Sequence, residues 1–159
     1  MRALFLPLVA VLAIPSAAQS DAYVEQVGEQ NWVEITQRVS SDARVVQVGA
    51  GAHSVLLDQR GGSSADIYQD GSGHRLAGFS APDGFARSFD GSRLVLRQSG
   101  ENNQAFVEQH DGGMASVLQF GSDNLAYLLQ SGGGNQAFIE QAGASLARIT
   151  QFGDGNVAH

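Results

Sequence analysis

Apolar and polar residues alternate with a period of two along most of this chain. The pattern is clearest between Ser92 and Gln130. Ser92, Leu94, Leu96 and Gln98 share one face, with Arg93, Val95 and Arg97 on the other. Asn103, Ala105, Val107 and Gln109 form the next such face, opposite Gln104, Phe106 and Glu108. A period of two predicts strands, and the Gly-rich pieces between them predict turns. Gln98, Gly100, Asn103, Ala105 and Gln109 recur 21 residues later as Gln119, Gly121, Asn124, Ala126 and Gln130. The repeating unit is therefore strand, turn, strand, turn.

The same unit extends in both directions. In the first, Ser20, Ala22, Val24 and Gln26 share a face, Gly28 turns the chain, and Asn31, Val33, Ile35 and Gln37 share the next. The second has Ser41, Ala43, Val45 and Gln47, then Gly49, but its return strand is one residue out of step. If the turn takes one extra residue, His53, Val55, Leu57 and Gln59 point inward and Asp58 outward. The strict register would bury Asp58, so the first is preferred. The third has Ser63, Ala65, Ile67 and Gln69, then Gly71, followed by a degraded return strand with His74, Leu76, Gly78 and Ser80 inside. The stretch Ala81 to Gly91 reads as an inserted loop, because the next marker Gln comes 29 residues after Gln69 instead of 21 or 22. Past Gln130 come Asn135, Ala137, Ile139 and Gln141, then Gly143; next are Ser145, Ala147, Ile149 and Gln151, then Gly153; Asn156 and Ala158 begin a further strand. The units run approximately 20–40, 41–62, 63–91, 92–112, 113–134 and 135–155, with a stub at 156–159. Twelve strands plus the stub are expected.

Two short strands cannot bury their own inner face, whereas stacked units can, each touching only its neighbours. The expected fold is all-β: a flattened β-solenoid of about six strand-turn-strand repeats with parallel stacking. Inner Ala, Val, Ile and Leu fill a thin core. Inner Gln and Asn are costly singly, but in a stack each amide can donate to the one above and accept from the one below. The expected stacking ladder therefore includes every inner Gln, Asn and Ser named above, from Ser20 to Asn156, except Ser80 in the degraded strand. Gly28, Gly49, Gly71, Gly100, Gly121, Gly143 and Gly153 are the expected turn glycines. Neither end carries a visible cap, and an uncapped edge is a template for another strand.

Residues 1–18 read as a secretory signal peptide: Arg2 is positive, Leu4 to Ile14 is apolar, and Ser16-Ala17-Ala18 suits cleavage. The apolar run is shorter than the ~20 residues a span needs, and no other segment could cross a bilayer as a helix. The remainder, 19–159, is one repeat domain. The whole chain has nine basic and sixteen acidic residues. Removing Arg2 leaves eight against sixteen, an acidic balance that argues against nucleic acid. Without Cys, an exported chain must be held by packing or assembly.

The spacing resembles the curlin repeat of bacterial curli fibres: Ser, five residues, Gln, one, Gly, one, Gly, Asn, one, Ala, three, Gln. Ser20/Gln26/Gly28/Asn31/Gln37 and Ser92/Gln98/Gly100/Asn103/Ala105/Gln109 meet it closely. So does Gln119/Gly121/Asn124/Ala126/Gln130, with Gly113 in place of Ser, and Ser145/Gln151/Gly153/Asn156/Ala158 fits as far as it runs. The resemblance implies a secreted, non-enzymatic subunit that self-assembles into amyloid fibres on the cell surface, for adhesion and biofilm matrix. It implies as partners other curlin-type subunits, an outer-membrane secretion pore and accessory factors. A monomeric β-solenoid adhesin, or a minor nucleating subunit, are the alternatives.

Other motifs read as structure. Gly61-Gly62-Ser63-Ser64-Ala65-Asp66-Ile67-Tyr68 resembles a calcium-binding nonapeptide, but Ser64 stands where Gly is expected and the nine-residue period is absent elsewhere. His53, His74, His110 and His159 lack the close spacing of a zinc site. Gly71-Ser72-Gly73 has no following helix to make it a phosphate loop. Catalytic and metal residues and cofactors are expected to be absent, since Asp and Glu fall mostly at turns or on outer faces. In the register chosen above, His53 and His74 take the inner place of Asn31, Asn103 and Asn124 on adjacent rungs, a candidate pH-sensitive pair. Exposed positions at the turn edges are the alternative for both.

Overall fold

The computed structural model describes residues 8–13, 20–38, 40–77, 86–88 and 91–159. They form fifteen strands: β1 (Leu8–Ala13), β2 (Asp21–Val27), β3 (Trp32–Arg38), β4 (Asp42–Gly51), β5 (Ser54–Arg60), β6 (Ser64–Ser72), β7 (Arg75–Ala77), β8 (Ala86–Ser88), β9 (Arg93–Glu101), β10 (Gln104–His110), β11 (Met114–Ser122), β12 (Leu125–Ser131), β13 (Gln136–Ala142), β14 (Leu146–Phe152) and β15 (Val157–Ala158). There is no helix among the described residues.

The chain alternates between two sheets at every corner. One sheet runs β2, β4, β6, β9, β11, β13, β15; the other runs β1, β3, β5, β7, β10, β12, β14, with β8 between β5 and β10. Every pairing is parallel. The result is a parallel β-solenoid of about six turns. Parallel pairing follows from the repeat, because each strand meets its equivalent from the next unit, two corners later.

The register is the sequence repeat written in space. Gln69 lies opposite Gln98 and Gln98 opposite Gln119, so identical side chains fall into columns. The core is made of apolar columns, two from each sheet. Val45, Ile67, Leu96 and Val117 belong to one sheet, and Val33, Val55 and Leu128 to the other, all buried. Buried on that inner face, β-branched and Leu side chains pack against their own kind above and below.

The structure departs from the sequence reading in three places. The first is the third return strand, which is not lost but split. β7 pairs with the first part of β5 and β10, and β8 pairs with their second part. Residues 86–88 thus belong to the stack and the inserted segment is shorter than 81–91, because Ala86 fills the inner position opposite Leu57. Gly78 and Ser80, expected inside, lie outside the described residues. The second is Leu8–Ala13, inside the expected leader, which pairs along β3. The third is the strand count, raised from twelve plus the stub to fifteen by these two changes.

The second unit has the register in which His53, Val55, Leu57 and Gln59 are buried inward. Asp58 points outward yet is also buried, and Arg60 holds its carboxylate at 2.7 Å. Outer-face pairs such as Arg44 with Asp66 at 3.2 Å are exposed and contribute little to stability.

Candidate functional site: the buried amide columns

Candidate chemistry here is repeated along an axis rather than gathered in a cleft. Among the described residues, no group of three or more His, Cys, Asp or Glu side chains is placed to hold a metal. The nonapeptide-like stretch is a corner: Gly61 and Gly62 have positive φ, and the Ser63 hydroxyl donates to Arg60 O at 2.6 Å.

In the first sheet the Gln amides form one unbroken column. Nε2 of Gln26 donates to Oε1 of Gln47, Gln47 to Gln69, Gln69 to Gln98, Gln98 to Gln119 and Gln119 to Gln141, at 2.7, 2.8, 2.7, 2.7 and 2.9 Å. Every amide points the same way along the axis. The other N–H of several of these amides crosses the core: Gln98 donates to Arg75 O, Gln119 to Gln104 O and Gln141 to Leu125 O, at 3.3, 3.0 and 3.1 Å. One side chain thus fixes rung-to-rung register and ties the end of its own strand to the start of a strand in the facing sheet.

The second sheet has the same chemistry with one break. Gln37 donates to Gln59 at 3.2 Å, Gln109 to Gln130 at 3.0 Å and Gln130 to Gln151 at 2.8 Å. Position 88 lies in register between Gln59 and Gln109 and is Ser, so the run of Gln is interrupted there. Oε1 of Gln109 is accordingly buried with no partner, as are Oε1 of Gln26 and Gln37. These are the first members of the three amide runs, so no preceding Gln donates to them. Ser88→Gln should complete the column and raise stability by about 1 kcal/mol, read as a higher denaturation midpoint with unchanged slope. A lower midpoint would mean that the rung has no room for the longer side chain.

The Ser and Asn positions form two further columns at the strand entrances. One contains Ser20, Ser41, Ser63, Ser92, Gly113, Asn135 and Asn156; the other contains Asn31, His53, His74, Asn103, Asn124 and Ser145. Ser and Asn therefore exchange columns in the last full unit, and stacking here is not uniformly between identical residues. What recurs at most rungs, though not at Gly113, is a side-chain acceptor facing the backbone N–H of the next rung. Asn103 Oδ1 accepts from Asn124 N at 3.0 Å, Asn135 Oδ1 from Asn156 N at 3.0 Å, and Ser20 Oγ from Ser41 N at 3.2 Å. The Asn amide also closes its own turn, as in Asn124 Nδ2 to Phe120 O at 2.8 Å.

His53 and His74 are buried in the Asn column, 1% and 0% exposed. Their rings stack with centroids 5.0 Å apart. Burial pushes the pKa of both below its ordinary value, and the neighbouring ring lowers that of His53 further.

The turn glycines named from the sequence all have positive φ. Two features had no usable sequence signal: the cross-core role of the Gln amides, and the strand at 86–88, where Ser replaces the marker Gln. Among curated proteins and among solved structures, none matches the chain. A family match covers β11 to β13 together with the corner after β13, the part that contains Gln119, Asn124, Gln130, Asn135 and Gln141. Residues 114–143 match the curlin associated repeat.

Proposed function

We propose that this protein is a secreted structural subunit that self-assembles into curli-like amyloid fibres, serving cell adhesion and biofilm matrix. The observation that carries the reading is the single-direction Gln column from Gln26 to Gln141. Such a column has no intrinsic length. Each added rung donates and accepts in the same way, so stacking copy on copy would extend core and column together. The curlin associated repeat at 114–143 supports the same reading. In it residues 1–18 are a removable export signal, the partners are further copies and other curlin-type subunits, and export runs through an outer-membrane pore to the cell surface. The protein has no catalytic role in this account.

Purified protein lacking residues 1–18 should convert on incubation into sedimentable, thioflavin-positive, self-seeding material. A chain that stays soluble and monomeric for days would instead fit a monomeric β-solenoid adhesin. Within the chain, rungs with full columns should assemble fastest. Peptides Ser20–Gln37 and Ser92–Gln109 should fibrillise before Ser63–Ser80, whose return strand β7 is only three residues long and whose matching Gln position is occupied by Ser88 outside the peptide. Fastest conversion of the middle peptide would contradict the role given to the columns.

A further inference from the structure

Asn in the entrance column does two things. Its Oδ1 accepts from the backbone N–H of the next rung, and its Nδ2 donates to a carbonyl in its own turn, as Asn103 does to Ser99 O at 3.1 Å and Asn124 to Phe120 O at 2.8 Å. His53 and His74 reproduce both contacts. His53 Nδ1 faces His74 N at 3.4 Å and its Nε2 lies 3.2 Å from Val48 O. His74 Nδ1 faces Asn103 N at 3.2 Å and its Nε2 lies 2.8 Å from Asp70 O. A nitrogen facing an N–H must be bare and one facing a carbonyl must carry the proton, so both rings are neutral with hydrogen on Nε2. Imidazole is thus an Asn mimic here, with one difference: its acceptor atom can be protonated near neutral pH.

We propose that His53 and His74 form a pH-sensitive rung pair that holds the middle of the solenoid together above neutral pH and releases it in mild acid. Protonation puts hydrogen on Nδ1, which then confronts the backbone N–H of the next rung, donor against donor. Two contacts fail together, at His74 N and at Asn103 N, because the rings lie on consecutive rungs. A second proton would also stack like charges 5.0 Å apart. Asp70, on the strand entering the turn, is the charged group that favours the protonated form of both rings; burial opposes it and is the larger effect on each. The column neighbours Asn31 and Asn103 are neutral, and Arg75, next to His74, is exposed on the outer face.

The sign follows from these effects. The folded pKa lies below the unfolded value of about 6.5, so the unfolded chain binds more protons between the two. The contribution to stability is present above about pH 6.5 and is lost as pH falls through the folded pKa. The device depends on solenoid register and not on polymerisation, so it can be tested whether or not the chain forms fibres.

The test is backbone hydrogen exchange on the full chain at pH 7.5 and pH 5, corrected for intrinsic rates. In the wild type, protection in segment 54–77 should fall about tenfold or more relative to 114–143, since two backbone contacts are lost together. In H53N/H74N the two segments should keep their ratio. An equal response of wild type and variant to pH would overturn the proposal. A second readout needs no variant: nitrogen NMR of histidine-labelled wild type at pH 8 should show two of the four imidazoles with bare Nδ1 and protonated Nε2. Protonated Nδ1 on His53 and His74 would overturn it as well.

Discussion

Gly71→Ala is expected to be the most damaging single substitution in the column of corner glycines. Gly71 has φ +123°, a conformation that costs a residue bearing Cβ about 1–3 kcal/mol. A methyl group there would also run into the carbonyl oxygen of Gly100 on the next rung, with Gly100 N 3.1 Å away. The obstacle is backbone, fixed by the register on both sides, so no side chain can move aside. Strain and overlap together should remove about 3 kcal/mol or more. The loss should be local to the corner between β6 and β7 and spread to neighbouring rungs, because each rung is held only by the next. Gly62→Ala is the matched control. Its φ is also positive, at +77°, but an added Cβ meets nothing within 4 Å, so the cost is left-handed strain alone, about 1–2 kcal/mol. Chemical denaturation of the two variants side by side measures the difference. Equal losses would mean that the glycine column reflects turn conformation and not close rung-to-rung approach.

Gln98→Ala should rank next, and its size depends on neighbours more than on the residue removed. Gln98 sits mid-column: it accepts from Gln69 and donates to Gln119 and to Arg75 O. Without it, Gln69 Nε2 and Gln119 Oε1 both lose their partner in the dry core. Each orphaned group costs about 1–3 kcal/mol. Gln59→Ala removes the same side chain from an equally buried site, but next to the break at position 88. There Gln37 Nε2 loses Gln59 and still donates to Asp21 O at 3.0 Å and Ser41 O at 2.9 Å. The deleted volume is the same, so the difference between the two variants isolates the orphaned amides. Gln98→Ala should be the less stable by about 2 kcal/mol or more, and the slower to assemble. Equal destabilisation would indicate that the columns act by filling space and not by hydrogen bonding.

The fold was readable because the strongest signals in the chain were periodic. Alternation gave the strands, the spacing of Gln98 and Gln119 gave the rung, and the turn glycines marked corners. Asp58 settled the register of the second return strand, since a one-residue slip would have turned its carboxylate inward. The split strand was not readable. Its second half is only Ala86–Ser88, too short for alternation to register, and Ser stands where the marker amide was sought. The amide chemistry was readable only along the stack. A repeat shows which residues will lie above one another, but not that Gln98 reaches Arg75 O in the other sheet. The exchange of Ser and Asn between columns in the last unit was visible in the spacing, yet its harmlessness was not. It follows because most rungs use only a side-chain acceptor, which hydroxyl oxygen, amide oxygen and imidazole nitrogen can all supply.

The central claim is that copies of this chain continue the stack from one molecule to the next. Fibre diffraction from aligned, assembled protein tests it most directly. The account predicts a sharp meridional reflection near 4.7–4.8 Å from rung spacing and a diffuse equatorial one near 10 Å from the two facing sheets. Assembled material without the meridional reflection, or with a circular dichroism spectrum dominated by helix, would contradict it.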